Sequence, residues 1–186
     1  MKRKSVIIGA LVSVPVVFIF GLHSYTSRYD ELISKAAARN GVDFFLVKSL
    51  IYEESWFRPG VRGSAGEIGL MQVTQAAASD FADQRGFPPF REERLFEPEL
   101  NLEVGCWYLR NSLVHYKNSP QPALLALLRY NAGESRADNW LRLAGRTPSA
   151  AGASFEAHML SVVDFPKTRA YARRILQRSR SHNFWF

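Results

Sequence analysis

The chain has 186 residues, 47% hydrophobic and 13% aromatic, a composition that excludes a disordered polypeptide. Beyond the first stretch of about 25 residues, enough chain remains for one compact domain with a core. A formal net charge of +7 predicts anionic surroundings: nucleic acid, anionic lipid, or an acidic polymer such as a bacterial wall.

Lys2, Arg3 and Lys4 precede an apolar run from Val6 to Leu22, interrupted mainly by Ser13 and Pro15. A basic end followed by a run near membrane-spanning length predicts an uncleaved signal anchor over 1–22, with one transmembrane helix and the remainder exported. The following "GLHSYTSRYDEL" offers no Ala-x-Ala site and no lipobox cysteine; cleavage after the serines is the alternative. Residues 23–29 read as a tether, and 30–186 as the exported domain.

From there, helical spacing and helical punctuation dominate. Asp30 is expected to cap a helix through Ala38, stopped by Asn40-Gly41. Asp43 caps the next, to about Ser55. Glycines 60, 63, 66 and 69 mark a loop, and Thr74 caps "QAAASDFA". Pro98 suits the first turn of a long helix that "NSPQP" ends. "ALLALLRYNAG" forms another helix, closed by Gly133. A loop is expected near 144–153, then a last helix from about Pro166 carrying Arg169, Arg173, Arg174 and Arg178. No alternating strand appears, so the domain is expected to be all-α, with short helices around one core.

The lone cysteine, Cys106, lies between Gly105 and Trp107 and reads as a small buried hydrophobe. His23, His115, His158 and His182 are scattered without ligand spacing, so neither a metal site nor a cofactor is expected.

The second helix ends in two glutamates. At 100° per residue, Phe44, Val47, Leu50 and Ile51 form one apolar stripe, and Glu54 continues it; Glu53 falls toward the edge. A carboxyl aimed at the interior is desolvated, which raises its pKa toward the range a general acid needs. The plainer reading, that the helix frays and Glu54 reaches water, has equal standing on periodicity. "GSAGEIGLMQ" follows, with three glycines in seven residues that let the backbone turn tightly and approach a ligand.

Here the sequence resembles the soluble-lytic-transglycosylase (SLT) type of peptidoglycan enzyme. Its Glu-Ser-aromatic motif is matched by Glu54, Ser55 and Phe57. Its glycine turn ending in Gly-Leu-Met-Gln is matched by Gly66, Gly69, Leu70, Met71 and Gln72. Its aromatic-Asn-Ala-Gly run is matched by Tyr130, Asn131, Ala132 and Gly133, and "LFEPELNLEVGCWYL" is similar to its Pro-Glu-x-Asn helix. The resemblance covers roughly residues 30 to 175. Gly63 stands where the family commonly has Ser, Thr74-Gln75 replace Met-Pro, and "KTRAY" puts Lys167 at the place of a family glutamate, whose role is not transferred.

The resemblance implies a goose-type lysozyme-like fold and cleavage of the MurNAc–GlcNAc β-1,4 bond without added water. Glu54 would protonate the leaving oxygen, then as a base take the C6 hydroxyl proton while a 1,6-anhydro ring closes. Gln72 and Tyr130 would hydrogen-bond sugar or support the carboxyl, and Asn131 would fix the loop or touch an acetamido group. Met71 is counted among the substrate contacts, shaping the groove with Phe57. The implied partners are peptidoglycan strands, the membrane through the anchor, and a cell-envelope assembly, with catalysis on the extracytoplasmic side of a bacterial cytoplasmic membrane. The rival readings are a hydrolytic muramidase, for which spacing selects no second carboxylate, and a non-catalytic wall-binding module. A nucleic-acid binder is disfavoured by the anchor and by the lack of a recognition motif.

Overall fold

A computed structural model describes residue 21 and residues 24–88, 91–147, 149 and 152–184. The expected membrane span, 1–22, lies outside these residues except for Gly21. Among the described residues, no helix is long and apolar enough to cross a membrane.

The architecture is helical: α1 Asp30–Asn40, α2 Phe44–Ser55, α3 Gln75–Arg85, a 3-10 turn Glu92–Phe96, α4 Pro98–His115, α5 Pro122–Ala132, α6 Glu134–Arg146, α7 Phe155–Val162 and α8 Pro166–Ser181. Pairing outside the helices is confined, among the described residues, to isolated bridges of Ile68 with Arg62 and with Val73.

Local chemistry sets most boundaries. The Asp43 side chain accepts from the Leu46 N–H at 2.7 Å, and Thr74 from Ala77 N–H at 3.2 Å, so both N-caps form as the sequence predicts. Asp30 does not cap. The cap position belongs to Tyr29, without a side-chain bond, and the Asp30 carboxylate pairs instead with the buried Lys48 ammonium at 2.7 Å. Tertiary charge pairing outweighs the local cap here. Gly41 closes α1 in the left-handed region, φ 62°.

Two helices were not anticipated. Gly133 both ends α5 and occupies the N-cap of α6, so the expected stop is also a start. α6 runs to Arg146, into the predicted loop, and α7 follows it, capped by Ser154 on Ala157 N–H.

α5 is the core helix. Leu124 to Leu128 are fully buried, as an all-round apolar run requires. α4 and α8 pack on it, and α8 also packs along α2. That double contact places α8 beside the C-terminal end of α2, where Glu54 lies. The stretch expected as a tether is seated on the same end. Residues 24–27 are helical, the Tyr25 hydroxyl donates to the Trp56 carbonyl at 2.8 Å, and Arg28 donates to the Phe57 carbonyl.

Candidate active site

α2 stops abruptly at Ser55. Trp56 and Phe57 both take positive φ, 54° and 55°, which side chains larger than Asn rarely adopt. The Ser55 hydroxyl donates to the Leu70 carbonyl at 2.8 Å, tying this helix end to the glycine loop.

The loop is pinned from α4. Asn101 is fully buried. Its amide nitrogen donates to the Ile68 and Leu95 carbonyls, at 2.7 and 2.8 Å, and its oxygen accepts from Met71 N–H at 2.8 Å. Gly69 is required for this approach: at φ 80°, a Cβ would stand 2.4 Å from the Asn101 amide nitrogen and 2.6 Å from the Leu95 carbonyl. The Pro-Glu-x-Asn helix and the Gly-Leu-Met-Gln turn are thus two halves of one hydrogen-bonded unit.

Glu54 lies at the junction of α2, α8 and this loop. It is half-buried. The Tyr171 hydroxyl of α8 donates to its Oε1 at 2.5 Å. Burial is the main cause that pushes the Glu54 carboxyl up to about 7; the Tyr171 bond opposes it, and the negative charges of Glu53 and Glu67 add to it. Tyr171 and Tyr130 are both pushed well above the usual phenol range, by burial first and then by the Glu54 charge. Both therefore remain protonated donors at neutral pH.

Glu53, one residue earlier, has a different fate. It accepts from Arg174 of α8, with Arg178 3.6 Å away. Arg178 also lies 3.9 Å from the Tyr52 ring centroid. Part of the arginine-rich face of α8 thus pairs with α2, through the exposed Arg174 and the more buried Arg178.

The remaining residues singled out in the sequence divide. Gln72 adopts φ 47°, and its amide nitrogen donates to the Gly69 and Val61 carbonyls at 2.8 and 3.2 Å, so its donor end holds the loop. The Tyr130 hydroxyl donates to the Met71 carbonyl at 2.8 Å, supporting the loop from α5. Asn131 is exposed, and its side-chain oxygen accepts from the Thr168 hydroxyl at 2.6 Å. Met71 and Phe57 must be corrected: both side chains are fully buried, and Met71 packs where a Gly105 side chain would stand, 2.5 Å from its sulfur. They are core residues, and the Met71 backbone is taken up by Tyr130 at its carbonyl and by Asn101 at its N–H.

Sequence reading missed Tyr171, Thr168 and Glu67 as members of this cluster. The first two sit in the "KTRAY" segment, whose signal was the motif itself; Lys167 is exposed. Beside Gln72, Thr74, Tyr108 and Tyr130 lies a small cavity of about 70 Å³. A larger groove of about 490 Å³, between Arg39, Phe81, Arg85 and Glu103, includes none of the residues around Glu54. His115, Glu134 and Asp138 bring possible ligand atoms within 4.8 Å of one another. Glu134 is already paired with Arg129 at 2.6 Å, and Asp138 accepts from the Tyr116 hydroxyl at 2.6 Å.

The family model described as Transglycosylase SLT domain matches residues 31–151, the interval that holds Glu54, the glycine loop and Tyr130. The chain belongs to this family. Our SLT-domain chain is 27% identical over 150 residues to the soluble lytic murein transglycosylase of Salmonella typhimurium, covering 80% of this chain and 22% of that protein. It is 34% identical over 113 residues to the peptidoglycan transglycosylase gp16 of Escherichia phage T7, covering 61% of this chain and 8% of that protein. It therefore spans a small part of the length of both relatives. The crystal structure of the 70 kDa soluble lytic transglycosylase of Escherichia coli superposes with a TM-score of 0.69 at 23% identity, over 81% of this chain and 23% of that one. At that identity the match establishes the fold, a lytic-transglycosylase-type helical domain.

Proposed function

We propose that this SLT-domain chain is a peptidoglycan lytic transglycosylase that cleaves the MurNAc–GlcNAc β-1,4 bond without water and leaves 1,6-anhydroMurNAc ends. The observation that carries the reading is the Glu54 carboxyl: desolvated between α2, α8 and the glycine loop, pushed up to about 7, and bonded to the hydroxyl of Tyr171.

A group titrating near neutrality is populated in both forms and can give a proton in one step and take one in the next. As an acid, Glu54 protonates the glycosidic oxygen, and the bond from C1 to that oxygen breaks. The substrate's N-acetyl group stabilises the cation developing at C1. As a carboxylate, now stabilised by the Tyr171 donor, Glu54 takes the C6 hydroxyl proton while that oxygen closes on C1. The proton count returns to its start. Gln72 and Asn131 are the proposed sugar contacts, through the Gln72 side-chain oxygen and the Asn131 amide nitrogen, while Tyr130 supports the loop.

The same reading assigns residues 1–22 to a single-pass anchor of a bacterial cytoplasmic membrane and 30–186 to an extracytoplasmic catalytic domain acting in wall remodelling. The test is digestion of purified peptidoglycan by the full chain in detergent, as wild type and as Glu54→Gln, with mass spectrometry of the released muropeptides. Products lighter by one water than reducing-end muropeptides, absent with Glu54→Gln, are expected. Ordinary reducing ends would make the chain a hydrolase. Binding without turnover would make it a wall-binding module.

A further inference from the structure

Beside the last turn of α2 lie charge and aromatic surface that the proposed cleavage does not use. Arg174 and Arg178 of α8 share one carboxylate, Glu53, so one positive charge is left over. Arg178 is poorly satisfied by it: Nη1 is buried without a hydrogen bond, and Glu53 Oε2 stands 3.6 Å away. Both arginines line a cavity of about 360 Å³ with Gln177, Ser181 and Asn183, all basic or neutral side chains. This cavity adjoins an aromatic surface. The Arg178 guanidinium carbon is 3.9 Å from the Tyr52 ring centroid, and the Tyr52 and Trp56 rings are 4.5 Å apart. The Trp56 side chain is left outside: the residue is 53% exposed, although the Tyr25 hydroxyl holds its carbonyl. Nearby, the exposed Arg28 donates to the Phe57 carbonyl and has no carboxylate partner among the described residues.

We propose that the Arg174–Arg178 cavity binds the phosphate of an anionic lipid and that Trp56 enters the membrane interface beside it, seating the domain on the membrane that holds its anchor. The inference rests on the reading of residues 1–22 as that anchor. Tyr25 is three residues beyond Leu22, where the proposed anchor ends, so at most about 10 Å of chain separates them. The Tyr25 bond to Trp56 therefore ties this aromatic surface to the exit of the span. A guanidinium matches phosphate geometry, and Gln177 and Ser181 add neutral donors. Basic side chains next to a span are attracted to anionic lipid, and an amphipathic ring settles at the headgroup level. An anionic wall polymer carries the same sign of charge, but the nearness of Trp56 to the span favours lipid. Trp56 is two residues from Glu54, so docking holds the proposed acid at the membrane face, against the glycan nearest the membrane.

The test uses the full chain reconstituted in vesicles of brominated phosphatidylcholine, with and without phosphatidylglycerol, where bromine quenches tryptophan at the interface. The share of Trp56 is the difference between wild type and Trp56→Phe. Phosphatidylglycerol should raise the quenching of that share about twofold or more, and high salt should reverse the rise. Gln177→Glu puts a carboxylate among the arginines at an exposed position and should abolish the rise; Arg174→Gln should weaken it. Inorganic phosphate should cancel the rise more than chloride of equal ionic strength does. Equal effects of the two salts would mean adhesion by net charge alone and overturn the site. No rise in the wild type, or a rise that survives in Gln177→Glu, also overturns the proposal. So does loss of retention on purified wall material in Gln177→Glu with quenching unchanged, which would make the cavity a site for anionic wall polymer. Release of the wild type from vesicles by alkaline carbonate would refute the anchor, while the response of Trp56 to phosphatidylglycerol still decides the headgroup site.

Discussion

The last turn of α2 presents two flanks to a single neighbour, α8. On one, Glu53 meets Arg174 and Arg178. On the other, Glu54 meets the phenol of Tyr171. Adjacent residues of one type, facing one helix, thus become a fixed ion pair and a carboxyl that changes protonation near neutrality. The difference lies in the surroundings: Glu53 has permanent guanidinium counter-charges, whereas burial, opposed by the Tyr171 bond, pushes the Glu54 carboxyl up to about 7. Structure and chemistry are divided between the flanks, and exchanging their properties should be costly.

The largest expected effect comes from removing the titrating group. Glu54→Gln should lower peptidoglycan turnover by about 10³-fold, in line with the loss of a general acid, with glycan binding retained; steady-state turnover beside a pull-down on insoluble wall material checks this.

The same substitution should stabilise the fold. A carboxyl raised from 4.5 to about 7 lets the native state keep a proton that the unfolded chain has released. Its contribution is therefore intact below pH 4.5 and lost as pH rises toward 7. Replacing Glu54 by a neutral amide should recover on the order of 2 kcal/mol above pH 7 and little at pH 4. Thermal melts across pH would show it, and a uniform gain would break the comparison.

On the other flank, Arg178→Ala should cost about 2 kcal/mol in chemical denaturation, because it removes a buried partner of Glu53 and a cation over Tyr52. The smallest effect separates donor from charge. Tyr171→Phe should slow turnover about tenfold, as loss of one hydrogen bond to a charged group predicts. It should also move the alkaline limb to higher pH, since the Tyr171 bond lowers the Glu54 pKa. A shift to lower pH would mean the phenol does not serve the carboxylate form.

Legibility followed the range of the forces. The Asp43 and Thr74 caps and the Gly41 stop depend on contacts within a few residues and were readable as such. Asp30 was misjudged because its partner, Lys48, is on another helix. The inward aim of Glu54 was legible from the stripe of Val47, Leu50 and Ile51, all fully buried. Met71 and Phe57 show the converse: a conspicuous motif position can serve the core, and nothing in local spacing separates a groove wall from the interior behind it.

By itself, the sequence determined the helical class, the junction of a core-facing glutamate with a glycine turn, and the motifs that place the chain among SLT domains. Each is written in spacing along one segment or in residue types that a backbone conformation demands. The tertiary structure alone decided which groups surround that glutamate. Tyr171 lies 117 residues from Glu54, and Tyr130 lies 59 from Met71. Glu67 gains its place from the missing side chain of Gly63. Those proximities set the desolvation and the local charge, and desolvation and charge, more than the identity of the residue, fix where a carboxyl titrates.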